Sequence, residues 1–338
     1  METFIIAEAG ANHNRNFNQA LSLIDVAVES GASACKFQTY TSETLYSKNT
    51  PNFAGYKNIN KLIKDIELPR EWQKDLKQYC DEKSIEFMST PFDEQAVDEL
   101  VGLGVKRLKI AGFESTDFRF VEMVASSKLP LVISLGIGFK MNYLGKIFEI
   151  ANKYGNELSF MYCNNAYPTP IEDAGIGIVK QLSQDTRYRW GLSDHTKSPF
   201  TPALAVAAGA KIIEKHFTLS KKLPGPDHPF ALEPDELKQM VDYIRFSELS
   251  VSKQSSDEIS TSEQSFTKAM RSVVSKIDIK KGEILTTDNI TTKRPFLPNS
   301  IPAMDFENIV GFPIDKDIEA DTPLLKPDVP KYYYPLYI

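Results

Sequence analysis

A (β/α)8 barrel of the TIM type, followed by a small, mostly β domain, is the fold that this sequence predicts. Three observations lead to it. Within residues 1–250, short apolar or β-branched runs alternate eight times with longer segments of helical period. The short runs are apolar almost throughout, as strands covered on both faces must be, and this implies a parallel sheet. Eight units in that length suit a closed barrel. A doubly wound open sheet would more typically carry a glycine-rich first turn, and GANHNRN (10–16) is not one.

The units follow in order. TFIIAE (3–8) precedes NQALSLIDVAVES (18–30), in which Ala20, Leu23, Ile24, Ala27 and Val28 share a helical face. ACKFQT (34–39) is followed by a long polar loop and then by REWQKDLKQYCDEK (70–83). EFMST pairs with DEQAVDELVGL, RLKIA with FRFVEMVASS, and PLVISLG with YLGKIFEIANKYG. LSFMYCN with AGIGIVKQLSQ, YRWGLSDH with PFTPALAVAAG, and KIIEKHF with ELKQMVDYIRFSEL complete the eight. Residues 251–267 turn polar and read as a linker. Residues 268–330 carry short β-rich pieces and a Lys-Gly turn, a compact module that is small for independent stability. The tail, 331–338, is KYYYPLYI, and its aromatic content suggests docking.

Composition narrows the function. A hydrophobic share of 42% and a charged share of 25% are ordinary for a globular protein. The net charge of −6 argues against nucleic-acid binding, which needs a basic surface, but leaves room for a small anion held by a few lysines. The three cysteines show no CxxC spacing, and Cys35 and Cys163 read as buried thiols of a reducing compartment. No signal peptide and no membrane-spanning run is visible, so a cytoplasmic protein is expected.

Barrel enzymes keep their chemistry at the C-terminal ends of the strands. Those ends carry Glu8 with Asn12 and His13, Lys36 and Gln38, Ser89 and Thr90, then Lys109 and Glu114. Ser134, Asn165, Tyr167, Ser193, Asp194 and His195 follow, and the last strand supplies Glu214 and His216. Two lysines in a barrel mouth need anionic partners. Carboxylates could serve, but the hydroxyls and amide around them suit a phosphate. His195 and His216, on adjacent strand ends beside carboxylates, suit a divalent metal with open positions. The alternative for each histidine is a hydrogen-bonded core residue.

IAEAGANHN, KFQTY, FMSTPFD, LKIAGFE, NNAYPTPIED, GLSDHT, IIEKHFTL and GPDHPFALEPDEL together resemble, in order, the motifs of the sialic acid synthase family. DIKKGEILTTDNITTKRP, in the C-terminal part, is similar to that family's antifreeze-like (SAF) domain. The resemblance spans about Phe4 to Lys326. It implies a TIM barrel with a SAF domain, in a domain-swapped homodimer. The implied activity condenses phosphoenolpyruvate with an N-acylated hexosamine, giving a nine-carbon 2-keto acid and phosphate, with Mn²⁺ or Mg²⁺ assisting. By the same resemblance His195 and His216 are the metal ligands. Lys36, Lys109, Thr90, Ser134, Asn165 and Ser193 hold phosphoenolpyruvate, and Glu8 positions the reacting centres. Gln38, Tyr167 and Asp227 contact the sugar, Glu114 belongs to the substrate site, and Arg294 reaches the acyl group from the partner chain. The family pattern departs at Gly112, where serine is common, at Leu135 and Asn164, where threonine is common, and at Arg15, where glycine is usual. GFE after the fourth strand resembles pseudaminate synthases, and PGPDH resembles neuraminate and legionaminate synthases. A pyruvate aldolase and a non-catalytic sugar- or partner-binding barrel are the other readings.

Overall fold

The computed structural model of the protein describes residues 2–52, 57–252 and 258–330. Contacts divide the chain into two units, Met1–Lys253 and Gln254–Ile338. The predicted aromatic tail and residues 253–257 of the predicted linker lie outside the described residues.

The first unit holds eight parallel strands: β1 (Phe4–Gly10), β2 (Ala34–Thr39), β3 (Glu86–Pro91), β4 (Leu108–Ile110), β5 (Leu131–Leu135), β6 (Leu158–Cys163), β7 (Arg189–Asp194) and β8 (Ile212–His216). Their order is β3-β2-β1-β8-β7-β6-β5-β4, and the two end strands touch, so the sheet is a nearly closed barrel. Helices α1 (Phe17–Ser30), α2 (Ser42–Leu45), α3 (Ile59–Ile66), α4 (Gln73–Glu82) and α5 (Glu94–Gly102) serve its first half. The second half carries α6 (Phe118–Ala125), α7 (Leu144–Tyr154), α8 (Ile176–Leu182), α9 (Thr201–Ala207) and α10 (Pro234–Ser250). Each apolar run of the sequence has become a strand and each 3.6-period segment a helix. In α1 the Asn16 side chain accepts from Gln19 N, Gly31 ends the helix at φ 82°, and Ala20, Leu23, Ile24 and Ala27 are buried while Val28 is half-buried.

The period of two along the strands sorts the side chains into two cores. Ile5, Cys35, Phe37, Ile133, Phe160 and Ile213 point outward and pack under the helices. Ile6, Ala34, Met88, Val132, Met161 and Ile212 point inward and form a separate apolar plug across the barrel. One segment differs from expectation. The stretch between β2 and α4 reads as a long polar loop, but it contains α2 and α3. Ile59 and Ile63, four apart, are buried on one face of α3, and the Asn58 side chain caps it by accepting from Lys61 N.

The second unit pairs β9 (Ser272–Ser275) with β10 (Ile290–Lys293) in an antiparallel ladder. Isolated bridges such as Ile279 to Ile318 supplement it, around a core that includes Val273, Leu285, Ile301 and Leu324. Gln264–Ala269, partly inside the predicted linker, forms a 3-10 turn. All three cysteines are free and buried. Among the described residues no helix is long and apolar enough to cross a membrane.

Candidate active site

Continuing the inward alternation above the plug brings polar side chains into the barrel. Glu8 stands two residues past Ile6, Lys36 past Ala34, Thr90 past Met88, Ser134 past Val132 and Glu214 past Ile212. The plug and the polar layer are therefore products of one strand period.

Two lysines and two carboxylates form the centre. Lys36 Nζ lies 2.8 Å from Glu8 Oε2 and 3.5 Å from Glu214 Oε2, and donates to Thr90 Oγ1 at 2.9 Å. Lys109 Nζ is 3.5 Å from Glu214 Oε1, which also accepts from Ser193 Oγ at 3.0 Å. Gln38 Nε2 donates to Glu8 Oε1 at 2.7 Å. All four charged residues are buried. Burial works against the Glu214 carboxylate, but Lys109 and Lys36 overcome it and hold its pKa at about 2. At Glu8 burial wins over Lys36, and with Glu214 nearby its pKa is pushed up to about 7. Burial opposes charge on Lys36, yet Glu214 and Glu8 outweigh it and raise the pKa; at Lys109 burial outweighs Glu214 and lowers it. The two carboxylates are pushed apart, one ionised and one poised near neutrality, as an acid–base site requires.

Ser134 Oγ, Asn165 Nδ2 and Glu114 Oε2 are buried with no hydrogen-bond partner in the protein. Such atoms are costly unless a ligand or water meets them. Burial pushes the Glu114 carboxyl up to about 7 even though Lys109 pulls the other way. Asn165 Oδ1 accepts from Ile137 N at 2.6 Å, and its amide fills a notch between Gly112 and Gly136. A Cβ at Gly136 would stand 2.2 Å from Asn165 Oδ1, and one at Gly112 would stand 3.0 Å from Asn165 Nδ2.

Beside this centre the two histidines face each other with ring centroids 5.4 Å apart. Tyr167, 44% exposed, lies over His195 at 4.0 Å. His195 Nδ1 is 2.6 Å from the Asn164 carbonyl, which can only accept, so the ring carries its proton there and keeps a lone pair on Nε2. Burial lowers His195 to about 4 and takes His216 well below its usual range, so both are neutral at pH 7. His216 Nδ1 is buried without a hydrogen bond, and Asp227 Oδ2 lies 3.8 Å from it. A Cβ at Gly10 would be 3.2 Å from that oxygen and 3.5 Å from both Glu8 Oε1 and His216 Cε1. Two neutral imidazoles, an open ring nitrogen and two nearby carboxylates fit a divalent cation. Among the described residues no three His, Cys, Asp or Glu side chains form a complete metal centre. A cation held by the two imidazoles would have coordination positions open to substrate and water.

Several strand-end residues of the sequence reading point elsewhere. Ser89 Oγ bonds Thr39 Oγ1 at 2.8 Å on the helix side of the sheet. Asp194 Oδ2 takes Lys215 Nζ at 2.6 Å, also outside the barrel. His13 packs against Phe37 and Trp72. Asn12 Nδ2 donates to the Phe217 carbonyl at 2.7 Å, bracing the loop after β1. Ser89 and Asp194 differ from the inward set by one residue of register, whereas Asn12 and His13 belong to the turn after β1. Arg294 is exposed in the second unit, just past β10.

The departures have local explanations. Leu135 faces the outer core, so no hydroxyl is lost from the barrel lining there. The Asn164 side chain accepts from Ala166 N at 2.9 Å, while its carbonyl orients His195. Arg15, at φ 52°, donates to the Lys64 carbonyl at 2.8 Å and to Glu67 Oε1 at 3.3 Å, tying the first loop to α3. Glu214 is the hub to which the sequence reading assigned no role. Its signal was present, because it alternates with His216 across Lys215 on one strand.

Residues 23–256 match the NeuB family and residues 270–330 match the SAF domain. The N,N'-diacetyllegionaminic acid synthase of Legionella pneumophila is 37% identical, over 96% of this chain and 94% of that protein. A pseudaminic acid synthase of Campylobacter jejuni is 34% identical, over 97% of this chain and 96% of that protein. The crystal structure of an N-acetylneuraminic acid (sialic acid) synthetase from Leptospira borgpetersenii, in complex with citrate, superposes with a TM-score of 0.72 at 33% identity, covering 79% of this chain and 90% of that one.

Proposed function

The chain belongs to the NeuB family, and on that premise we propose that it is a nonulosonic acid synthase condensing phosphoenolpyruvate with an N-acylated hexosamine. The observation that carries the reading is the buried pair Lys36 and Lys109, bridged by Glu214 and flanked by the open donors of Ser134 and Asn165. Two cations and several neutral donors match a ligand with both carboxylate and phosphate oxygens. Sites that recognise only a free carboxylate have no need of the second lysine.

In this reading Lys36, Lys109, Thr90, Ser193, Ser134 and Asn165 grip phosphoenolpyruvate, and Gln38, Tyr167 and Asp227 orient the sugar. Carbon 3 of phosphoenolpyruvate forms a bond to the aldehyde carbon of the open-chain sugar, whose oxygen takes up the proton of neutral Glu8. Positive charge develops at carbon 2 and water adds there. Glu8, poised near neutrality, receives the proton of that water. The tetrahedral carbon then expels phosphate by C–O cleavage, the proton of its new hydroxyl leaving with the phosphate, and the 2-keto acid remains. His195 and His216 would hold Mn²⁺ or Mg²⁺, which when bound polarises the sugar aldehyde. Arg294 of a second copy supplies the acyl contact.

Among acceptors we favour the 2,4-diacetamido hexose of a legionaminate-type reaction, on the strength of the PGPDH motif and the identity to the Legionella synthase. Phosphate release from phosphoenolpyruvate, measured against a panel of N-acetyl and di-N-acetyl hexosamines, tests both levels of the proposal. Release with no member of the panel would remove the synthase reading; release with N-acetylmannosamine alone would change the sugar only.

A further inference from the structure

His228 is the fourth histidine, and the reaction proposed above gives its side chain no role. It follows Asp227 in the loop between β8 and α10 and is fully buried. Its Nδ1 lies 2.6 Å from Thr218 Oγ1, just past β8, and its Nε2 lies 3.2 Å from Asn14 Oδ1, in the loop after β1. An amide oxygen can only accept, so Nε2 carries the ring proton. The Thr218 hydroxyl, which also lies 3.2 Å from the Ser220 carbonyl, then turns its single proton to the nearer Nδ1, while its oxygen accepts from Ser220 N at 3.1 Å. Both ring nitrogens are committed to partners on two different loops. Gly225, at φ 145°, leaves the ring its space, since a Cβ there would stand 2.8 Å from His228 Cδ2. Burial keeps the imidazole neutral by lowering its pKa to about 4.

We propose that His228 is a positioning residue, a neutral strut between the loops after β1 and β8 that fixes Asp227 and Phe230 against His216 and so sets affinity for the acceptor sugar. The two loops extend from paired strands, and Phe230 lies 5.3 Å from the His216 ring, so a shift of the strutted loop moves the wall of the sugar pocket directly. Phosphoenolpyruvate, gripped by lysines on β2 and β4, is not touched by that wall. The proposal rests on the reading above in which Asp227 meets the sugar.

The test uses the full-length protein with His228→Ala, Asn14→Ala and the conservative His228→Gln. Losing the Nε2–H donor should raise the sugar KM roughly tenfold, with the KM for phosphoenolpyruvate and kcat within about threefold. His228→Gln, whose amide can still donate to Asn14, should recover most of the loss. Asn14→Ala should add little to His228→Ala, because the latter already removes the bond that Asn14 makes to the ring. Asn14 is half-buried, so its variant decides the matter if His228→Ala does not fold. Independently of activity, spectra of protein labelled with ¹⁵N-histidine should show His228 as the Nε2–H tautomer, and His228→Ala should shift the His216 signals. A sugar KM within twofold of wild type in both alanine variants would overturn the proposal. A parallel loss of kcat and both KM values together with melting temperature would do the same, as would an Nδ1–H tautomer. A wild-type protein with no synthase activity would defeat the functional reading, and the tautomer and the His216 shift would then decide the strut.

Discussion

Glu214→Gln keeps the shape of the central hub and removes its charge. Lys36 retains Glu8 at 2.8 Å, but the carboxylate ion-paired with Lys109 is Glu214. The drop of the Glu214 pKa from 4.5 to about 2 corresponds to about 3 kcal/mol of favourable interaction. Breaking one partner out of a buried ionic set typically costs about 3–5 kcal/mol, which agrees. For a unit of this size, roughly 2–4 °C of melting temperature accompany each kcal/mol, so the variant should melt about 6–12 °C lower at pH 7. The pH dependence has a definite sign. Lys109 already has a lowered pKa in the folded state, and losing Glu214 lowers it further. Wherever Lys109 is charged in wild type but neutral in the variant, only the variant gains a proton on unfolding, so its stability deficit shrinks as pH rises through that window, which lies wholly below the ordinary lysine value. Inorganic phosphate should stabilise the variant more than wild type, because it replaces the missing negative charge. Thermal melts from pH 6 to 9.5 in chelator, with and without phosphate, measure all three effects. A variant melting within 1 °C of wild type, or a deficit as large at pH 9.5 as at pH 7, would refute the ionic account.

Chelation should abolish synthase activity and Mn²⁺ should restore it, while His216→Ala should bind Mn²⁺ weakly yet retain its metal-free melting profile. Full turnover in chelator would eliminate the histidine pair as a metal site. Phosphoenolpyruvate labelled with ¹⁸O at the bridging oxygen should pass the label to phosphate; label kept in the keto acid excludes C–O cleavage. An Arg294→Ala chain mixed with a His195→Ala chain should regain activity that neither has alone at low sugar, because one heterodimer site holds both residues. Failure of mixing to restore turnover would end the shared-site proposal.

The barrel was legible because its signal is one of simple period. Runs such as IIAEAG and LVISL are apolar on both faces, and only a parallel sheet covered by helices explains that. α3 escaped notice because it spans only eight residues inside a long polar stretch, although Ile59, Leu62, Ile63 and Ile66 hold the i, i+3, i+4, i+7 spacing of a helical face. For the candidate site, strand ends could be found from sequence, but the face of each strand was harder. Ser193 and Asp194 are adjacent, equally polar and equally buried, yet one lines the barrel and the other pairs with Lys215 behind it. One residue of register separates them, and nothing in their chemistry announces it. Glu214 gained its role only when three strands brought Lys36, Lys109 and Ser193 to it. His228 was harder still, since its partners lie 214 and 10 residues away in sequence.

The apolar plug of Ile6, Ala34, Met88, Val132, Met161 and Ile212 has a consequence for traffic. It closes the barrel's interior beneath the polar layer. An occupant seated against Lys36 and Lys109, in mid-strand, lies beneath one held between His195 and Asp227, at the strand tips and in the loop beyond. For the proposed pair of substrates, binding would run from the bottom up and release from the top down. In the proposed reaction, phosphate would be freed at the floor and would leave only after the nine-carbon product had cleared the mouth, so the side chains that close the far end would impose an ordered sequence of binding and release.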